Sequence, residues 1–96
     1  MKLVFIACDQ AHSPEVLRLL ADTGAHHYTK WVGVQGKGAA SGPHLGTPVW
    51  PKENHAYAVA AEDAQARQIV DAVRTLRGTL PMGGVKAFVL PLEEAT

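Results

Sequence analysis

The order of strand-like and helix-like segments along the 96 residues constrains the fold more than any other feature. Residues 2–7 and 85–90 are short, almost continuously apolar runs, which are typical of strands buried on both faces. Segment 28–35 is rich in β-branched and aromatic residues, and segment 54–60 places an aromatic and a β-branched residue on one face, so both predict strands. Apolar residues at helical spacing after the first and third strands predict two helices. The order is therefore β-α-β-β-α-β.

Residues that favour helix ends bound both predicted helices. Ser13 is the expected N-cap of the first helix, since a serine hydroxyl can accept a hydrogen bond there, and a proline suits the next position. Gly24 is expected just after its last turn. The second helix is expected to begin at Glu62 and Asp63 and to end at Gly78.

This order is the split βαβ or ferredoxin-like pattern, an α+β fold. Right-handed crossovers place both helices on one face of a four-stranded antiparallel sheet, and the length allows a single domain over residues 1–96. In the first strand, Leu3 and Phe5 point to one face and Val4 to the other, and all three are apolar. Because the helices cover one face only, the other would expose an apolar patch too large for a typical monomer. The sequence therefore predicts a closed homo-oligomer.

An insertion at residues 39–53, AASGPHLGTPVWPKE, separates the second and third strands. Structureless loops of this length are uncommon in compact domains and are usually functional or disordered. A disordered segment rarely contains tryptophan, yet a tryptophan lies here between two prolines that stiffen the backbone. We interpret the insertion as a binding or partner-docking loop. Its candidate partner-binding residues are Pro43, His44, Leu45 and Trp50.

Composition and charge exclude several classes of partner. The formal net charge is +0 and charged residues make up 19% of the chain, so the basic footprint of a nucleic-acid-binding protein is absent. The sequence has neither a polybasic membrane-binding segment nor an apolar run long enough for a membrane span or a signal peptide. Cys8 is the only cysteine, which suits a reducing compartment. These features predict a cytoplasmic protein without direct membrane insertion.

Two glycine-containing segments resemble motifs of the PII signalling superfamily. Gly36-Lys37-Gly38 leads into the long loop, which lies where PII proteins have their flexible T-loop. Residues 83–88 (GGVKAF) are similar to the PII B-loop pattern Gly-x-Gly-Lys-x-Phe, with Val85 in place of the second glycine. The resemblance spans nearly the whole chain and implies a ferredoxin-like homotrimer with a regulatory role.

The chain departs from a full PII protein in two further respects. The T-loop-like segment is shorter and holds no tyrosine for covalent modification. The sequence stops at Thr96, before the C-terminal arginines with which PII proteins hold ATP phosphates. We therefore expect a short, divergent PII-like protein. The CutA proteins, which share the trimeric architecture, are a close alternative.

The resemblance also implies a ligand site between adjacent subunits, where PII proteins bind nucleotides. Glycine-rich turns let backbone amides converge on an anion, and a lysine near each turn adds charge. The expected ligand is a small anion, with an adenine nucleotide as the leading candidate. The simpler interpretation is that the glycines only permit tight turns or positive φ. The candidate ligand-binding residues are Thr29 (or Lys30, if the register differs by one), Gly36, Lys37, Gly38, Ser41, Gly83, Gly84 and Lys86.

Five histidines are many for this length and raise the alternative of a metal-binding or heavy-metal-homeostasis protein, CutA-like or associated with efflux. His44, within the loop, and His55, just after it, are the candidate ligands. No His-x3-His or Cys-x2-Cys spacing occurs, so histidines that hold no metal are the simpler interpretation. A third hypothesis is a structural trimeric adaptor whose loop only packs between subunits.

Catalysis is not predicted, because no nucleophile with an orienting partner stands out. Trp31 could stack on a ligand base or a partner, but a tryptophan in mid-strand more often fills core or interface volume. The favoured hypothesis is a regulatory protein in which ligand occupancy orders the 39–53 loop. The loop would then dock on a partner such as a membrane transporter or an enzyme.

Overall fold

The computed structural model describes residues 1–37 and 53–96, and within them strands and helices follow the predicted order. A short 3-10 turn between the first strand and the first helix is the one addition among these residues. The elements are β1 (Lys2–Asp9), the 3-10 turn (Gln10–His12), α1 (Ser13–Asp22), β2 (Thr29–Val34), β3 (Asn54–Ala61), α2 (Asp63–Thr79) and β4 (Val85–Pro91). Apart from Glu53, the predicted 39–53 loop lies outside the described residues.

The four strands form one antiparallel sheet in the order β2-β3-β1-β4, so the α+β ferredoxin-like prediction is confirmed. β1 lies in the centre and pairs with both β3 and β4. Its register places Ile6 opposite Tyr57 on one side and Ala87 on the other. Because side chains alternate across a pleated strand, every second residue of β1 points to the same face.

Both helices pack on one face of this sheet and form the hydrophobic core with it. Residues of α1 and α2 belong to the same buried cluster as alternate residues of β1 and β3. The largest side chains that are almost completely buried in it are Tyr57, Ile6, Leu20, Ile69, Val4, Val16, Val59 and Val85. Such burial is the main favourable contribution to the stability of a small domain.

The other face of the sheet is apolar and not covered by any described element, as predicted. The Phe5 ring lies 6.4 Å from the Trp31 ring and 6.5 Å from the Phe88 ring, measured between centroids. Trp31 and Phe88 each remain 46% exposed. An aromatic row therefore crosses β2, β1 and β4 on the open face.

The predicted N-cap of α1 is wrong by one residue. Ser13 is the first helical residue, and His12 occupies the cap position without a side-chain hydrogen bond. The Ser13 hydroxyl instead bonds to the Tyr57 hydroxyl and to Nδ1 of His55, which lies 2.9 Å away. A side-chain cap occurs one turn earlier, where the carboxylate of Asp9 accepts a hydrogen bond from the Ala11 amide at 2.9 Å.

The predicted stop of α2 at Gly78 is also wrong, since the helix continues to Thr79. The Thr79 hydroxyl donates to the Leu76 carbonyl at 2.7 Å, which satisfies one acceptor of the last turn. The cost of a glycine inside a helix is about 1 kcal/mol and does not prevent one further residue. Neither helix of the described residues combines the length and apolarity needed to cross a membrane.

Candidate functional site

The stem of the long loop begins with an irregular end of β2. Trp31 pairs with Ala56 and Val34 pairs with Asn54, so β2 uses one residue more than β3 between these pairs. Such a bulge bends the strand and increases its twist. On the opposite side, the Gln10 amide donates to the Glu53 carbonyl at 3.0 Å. The two sides of the stem are thus held together at one end of the strands.

Gly36 is required at this stem by a close approach rather than by a positive φ. Its φ does not lie in the left-handed region, where four other glycines of the described residues do. A Cβ at position 36 would collide with the side-chain amide of Asn54. The predicted alternative, that a glycine here only permits a positive φ, therefore does not apply to Gly36.

The second glycine-containing turn connects α2 to β4 and is closed by its own hydrogen bonds. The Gly83 amide donates to Leu80 at 3.2 Å, and the Gly84 amide donates to Met82 at 3.0 Å. The Gly84 carbonyl accepts from the Asp9 amide at 2.8 Å, which ties the turn to the end of β1. Gly84 has φ +70°, and a side chain there would meet the His12 ring at 2.9 Å. Glycine is therefore required by both conformation and space.

A groove of about 750 Å³ lies between the two turns. Gly36 and Lys37 contribute to it from the end of β2, and Gly84 and Lys86 from the start of β4. The small side chains of Ala7 and Ala56 and the aromatic residues of the open face line its floor. The groove therefore combines an apolar floor with polar ends, which is the usual composition of a small-molecule site.

The charged side chains around the groove are mainly cationic. Among the described lining residues, Lys37, Arg77 and Lys86 carry positive charge and Asp9 carries negative charge. The Lys86 ammonium lies 5.4 Å from the Phe88 ring centroid, an arrangement in which cation and ring attract. An anionic ligand is therefore favoured over a cationic one.

Comparison with known proteins gives the family. The model of the family "Nitrogen regulatory protein P-II" matches the chain over residues 1–96. The chain belongs to the P-II family. The predicted resemblance is thereby confirmed, while comparison with curated protein sequences gives no significant match.

Solved P-II-like structures are similar to this P-II chain in fold. CPII, a nitrogen regulatory PII-like protein from Thiomonas intermedia K12 bound to ADP, AMP and bicarbonate, matches with a TM-score of 0.75 and 19% identity, over 93% of this chain and 82% of CPII. The apo form of CPII gives 0.69 and 16% identity, over 93% and 85% of the two chains. A protein from Thermus thermophilus described as PII-like and signalling gives 0.68 and 20%, over 93% and 82%.

The groove of this P-II protein brings together four of the predicted ligand-binding residues, namely Gly36, Lys37, Gly84 and Lys86. Gly83 and Thr29 are not among its described lining residues. Thr29 lies on the open face opposite Ala58, whereas Lys30 pairs with Tyr57 on the covered face, with its ammonium 5.6 Å from the Tyr57 ring centroid. The remaining candidates lie outside the described residues: Gly38, Ser41, Pro43, His44, Leu45 and Trp50.

Trp31 and Arg77 also line the groove and were not among the predicted ligand-binding residues. Trp31 is predicted mainly in core or interface volume, with stacking on a ligand as the alternative, and it lines the groove on the open face. Arg77 lies in the last turn of α2, where a cation suits the negative end of the helix dipole, and it also lines the groove. One feature of the sequence could have indicated this role of Arg77. It lies six residues before the Gly83-Gly84 turn, at the end of a helix after which the chain reverses direction.

The histidines of the described residues form no metal centre. No group of three or more His, Cys, Asp or Glu that could hold an ion occurs within 1–37 and 53–96. His55 bonds to Ser13, and Nδ1 of His12 lies 3.4 Å from a Glu15 carboxylate oxygen, without hydrogen-bond geometry. Burial raises the pKa of the Cys8 thiol to about 11, which disfavours the thiolate that binds metals. The predicted metal role of His55 finds no support, and that of His44 lies outside the described part.

Proposed function

We propose that this P-II protein is a regulatory protein, not an enzyme, that binds a small anionic ligand in the groove. An adenine nucleotide is the leading candidate. Binding would be read by a partner, such as a transporter or an enzyme, through the 39–53 segment.

The observation that carries this proposal is the convergence of two distant turns on one groove. Lys37 and Lys86 are 49 positions apart in the printed sequence, yet both line it. Cations around an apolar floor suit a ligand with a charged group and a flat ring, because the charge is paired while the ring is removed from water. A nucleotide has this composition.

The similar structures support an adenine nucleotide in particular. CPII is described with ADP and AMP bound, and it shares the fold at low identity. Bicarbonate or acetate is also described in those structures. A small carboxylate-like anion is therefore a second ligand to test.

We propose a homotrimer for the assembly, because the open face needs a cover that the described chain does not supply. The aromatic row of Phe5, Trp31 and Phe88 is continuous with the groove, which these three residues also line. A copy packed against this row would close the groove on that side. The ligand would then lie between subunits, and its binding would depend on the contact between them.

The position of the 39–53 segment suits signalling. Lys37, just before it, lines the groove, and Glu53 at its other end accepts a bond from Gln10. A ligand in the groove would thus contact the stem of the segment directly. Differential affinity for two states of the segment is then enough to shift its population.

Isothermal titration calorimetry with ADP, AMP, ATP and cyclic AMP tests the proposal. We expect saturable binding of at least one nucleotide, and Lys86→Ala should weaken it about tenfold or more, since a hydrogen bond to a charged group contributes about 1.5–3 kcal/mol. Arg67→Ala, which removes an exposed cation on the outer face of α2, is the matched control and should change nothing. Absence of binding by every nucleotide would refute the nucleotide proposal.

A further inference from the structure

Arg77 is fixed at the end of α2 by contacts that its position in the sequence does not reveal. Its Nη1 donates to the Val85 carbonyl at 2.7 Å. The guanidinium also passes over the Gly83 backbone, since a Cβ at that glycine would lie 3.2–3.4 Å from Nη1, Cζ and Nη2. The group is therefore held against the α2–β4 turn at the wall of the groove.

These contacts orient Arg77 without neutralising it. A guanidinium has five N–H donors, so the bond to Val85 leaves several for another acceptor. Among the described residues, no carboxylate forms an ion pair with Arg77, whereas Arg74 on the preceding turn pairs with Asp71 at 3.0 Å. An oriented cation with spare donors is suited to bind a phosphate through two parallel hydrogen bonds.

The turn beside Arg77 offers little help from its backbone. The amides of Gly83 and Gly84 donate to Leu80 and Met82 within the turn itself. They are therefore not available to an anion in the way that glycine-rich phosphate loops use their amides. Recognition of charge at this end of the groove depends on the side chains of Arg77 and Lys86.

We propose that Arg77 binds a phosphate of the nucleotide and makes the groove favour a diphosphate over a monophosphate. This inference rests on the proposed function. Lys86 and Arg77 line the same end of the groove, with Lys37 at the opposite turn. A diphosphate has more charge and more acceptor oxygens than a monophosphate with which to pair these three cations.

Calorimetric titration of Arg77→Gln with ADP and with AMP tests the proposal. Glutamine removes the charge and keeps an amide donor. We expect the ADP affinity to fall about tenfold or more and the AMP affinity to fall less, so that the preference for ADP shrinks. Arg74→Gln removes a neighbouring cation outside the described lining of the groove and should leave both affinities within about twofold.

A second variant separates binding from support of the turn. Arg77→Lys keeps the charge and loses the planar fork, so it should recover part of the ADP affinity. Equal affinities of wild type and Arg77→Gln for ADP would overturn the role of Arg77 and leave the proposed function intact. Equal losses for ADP and AMP, with no recovery in Arg77→Lys, would also overturn it, because Arg77 would then act only through the turn. A wild-type protein that binds neither nucleotide would remove both proposals.

Discussion

Both faces of the sheet are apolar, but they have opposite surroundings. On the helix-covered face, Val4, Ile6 and Tyr57 are 0% exposed. On the open face, Trp31 and Phe88 remain 46% exposed although they contact the Phe5 ring between them. The side chains of the covered face are packed on all sides in a hydrophobic core. Among the described residues, those of the open face contact only one another and the sheet beneath them.

This difference separates the stability of the folded single chain from the stability of an assembly of chains. Burial on the covered face stabilises the single chain, because helices and sheet come from the same chain. No described segment of the chain lies over the apolar area of the open face, and we propose that this area stabilises an assembly. Residues of the open face line part of the groove, so in that assembly the groove would depend on the contact between chains.

The largest expected effect is on the covered face. Ile6→Ala should lower the free energy of unfolding by about 2–5 kcal/mol. The variant loses the free energy gained by burying the deleted side-chain atoms, and it leaves a cavity between the sheet and the helices. Urea denaturation followed by circular dichroism measures it. Ile6→Val is the graded control, with an expected loss of about 0.5–1.5 kcal/mol. Equal losses for the two variants would show that this face is not tightly packed.

The next effect compares adjacent residues of β4 on opposite faces. Phe88 is 46% exposed and points to the open face, and Val89 is 44% exposed and points to the helix side. If copies of the chain cover the open face, Phe88→Ala should cost about 1 kcal/mol per chain, or about 3 kcal/mol per trimer, since about half of the burial free energy of the ring remains to be gained.

Sedimentation velocity at several protein concentrations measures this effect. Phe88→Ala should shift the population toward monomer at concentrations where the wild type is associated. Val89→Ala, with similar exposure in the chain, should not. Equal behaviour of the two variants would argue against the open face as the subunit contact.

Patterns with short periods were predictable from the sequence, and contacts between distant residues were not. The continuous apolar run from Leu3 to Cys8 in β1 predicted both the sheet and its open face. The N-cap prediction for Ser13 was wrong because Tyr57, 44 positions away, takes the hydroxyl. No local rule can show that competition.

The residues of the candidate site also fall into those that sequence motifs predict and those that depend on contacts between distant parts of the chain. The glycine and lysine motifs predicted Gly36, Lys37, Gly84 and Lys86, which line one groove. The placement of Arg77 depends on how the chain returns from α2 to β4, which fixes its bond to Val85. Only the folded chain shows that geometry.

A smaller effect tests the polar contacts within the covered face. Tyr57→Phe keeps the buried ring and removes the hydroxyl that bonds to Ser13, while Ser13 retains its contact with His55. We expect a loss of about 1 kcal/mol in the free energy of unfolding, the typical net contribution of one hydrogen bond. Tyr28→Phe, at an exposed ring packed edge-on against Tyr57, should change it by less than about 0.5 kcal/mol. Equal effects would mean that the buried hydroxyl contributes nothing.

The last effect appears only at alkaline pH and again depends on burial at the covered face. Burial raises the pKa of the Cys8 thiol from 9.0 to about 11, more than a hydrogen bond with the His55 backbone lowers it. Below pH 9 the thiol is protonated in both the folded and the unfolded chain, so it contributes no pH dependence. Between pH 9 and 11 the unfolded chain releases the proton while the folded chain retains it, and the free energy of unfolding therefore falls as pH rises.

Denaturation at a series of pH values, on the wild type and on Cys8→Ala, isolates this contribution. Other groups titrate in the same range, so the informative quantity is the difference between the two curves. Cys8→Ala should be less stable at pH 8, and the gap should narrow as the pH rises toward 11, because only the wild type loses the contribution of the buried thiol. Parallel curves would mean that folding does not raise the pKa of the Cys8 thiol. Cys8 would then be as accessible to water as a residue of the open face, and the two faces would not differ at this position.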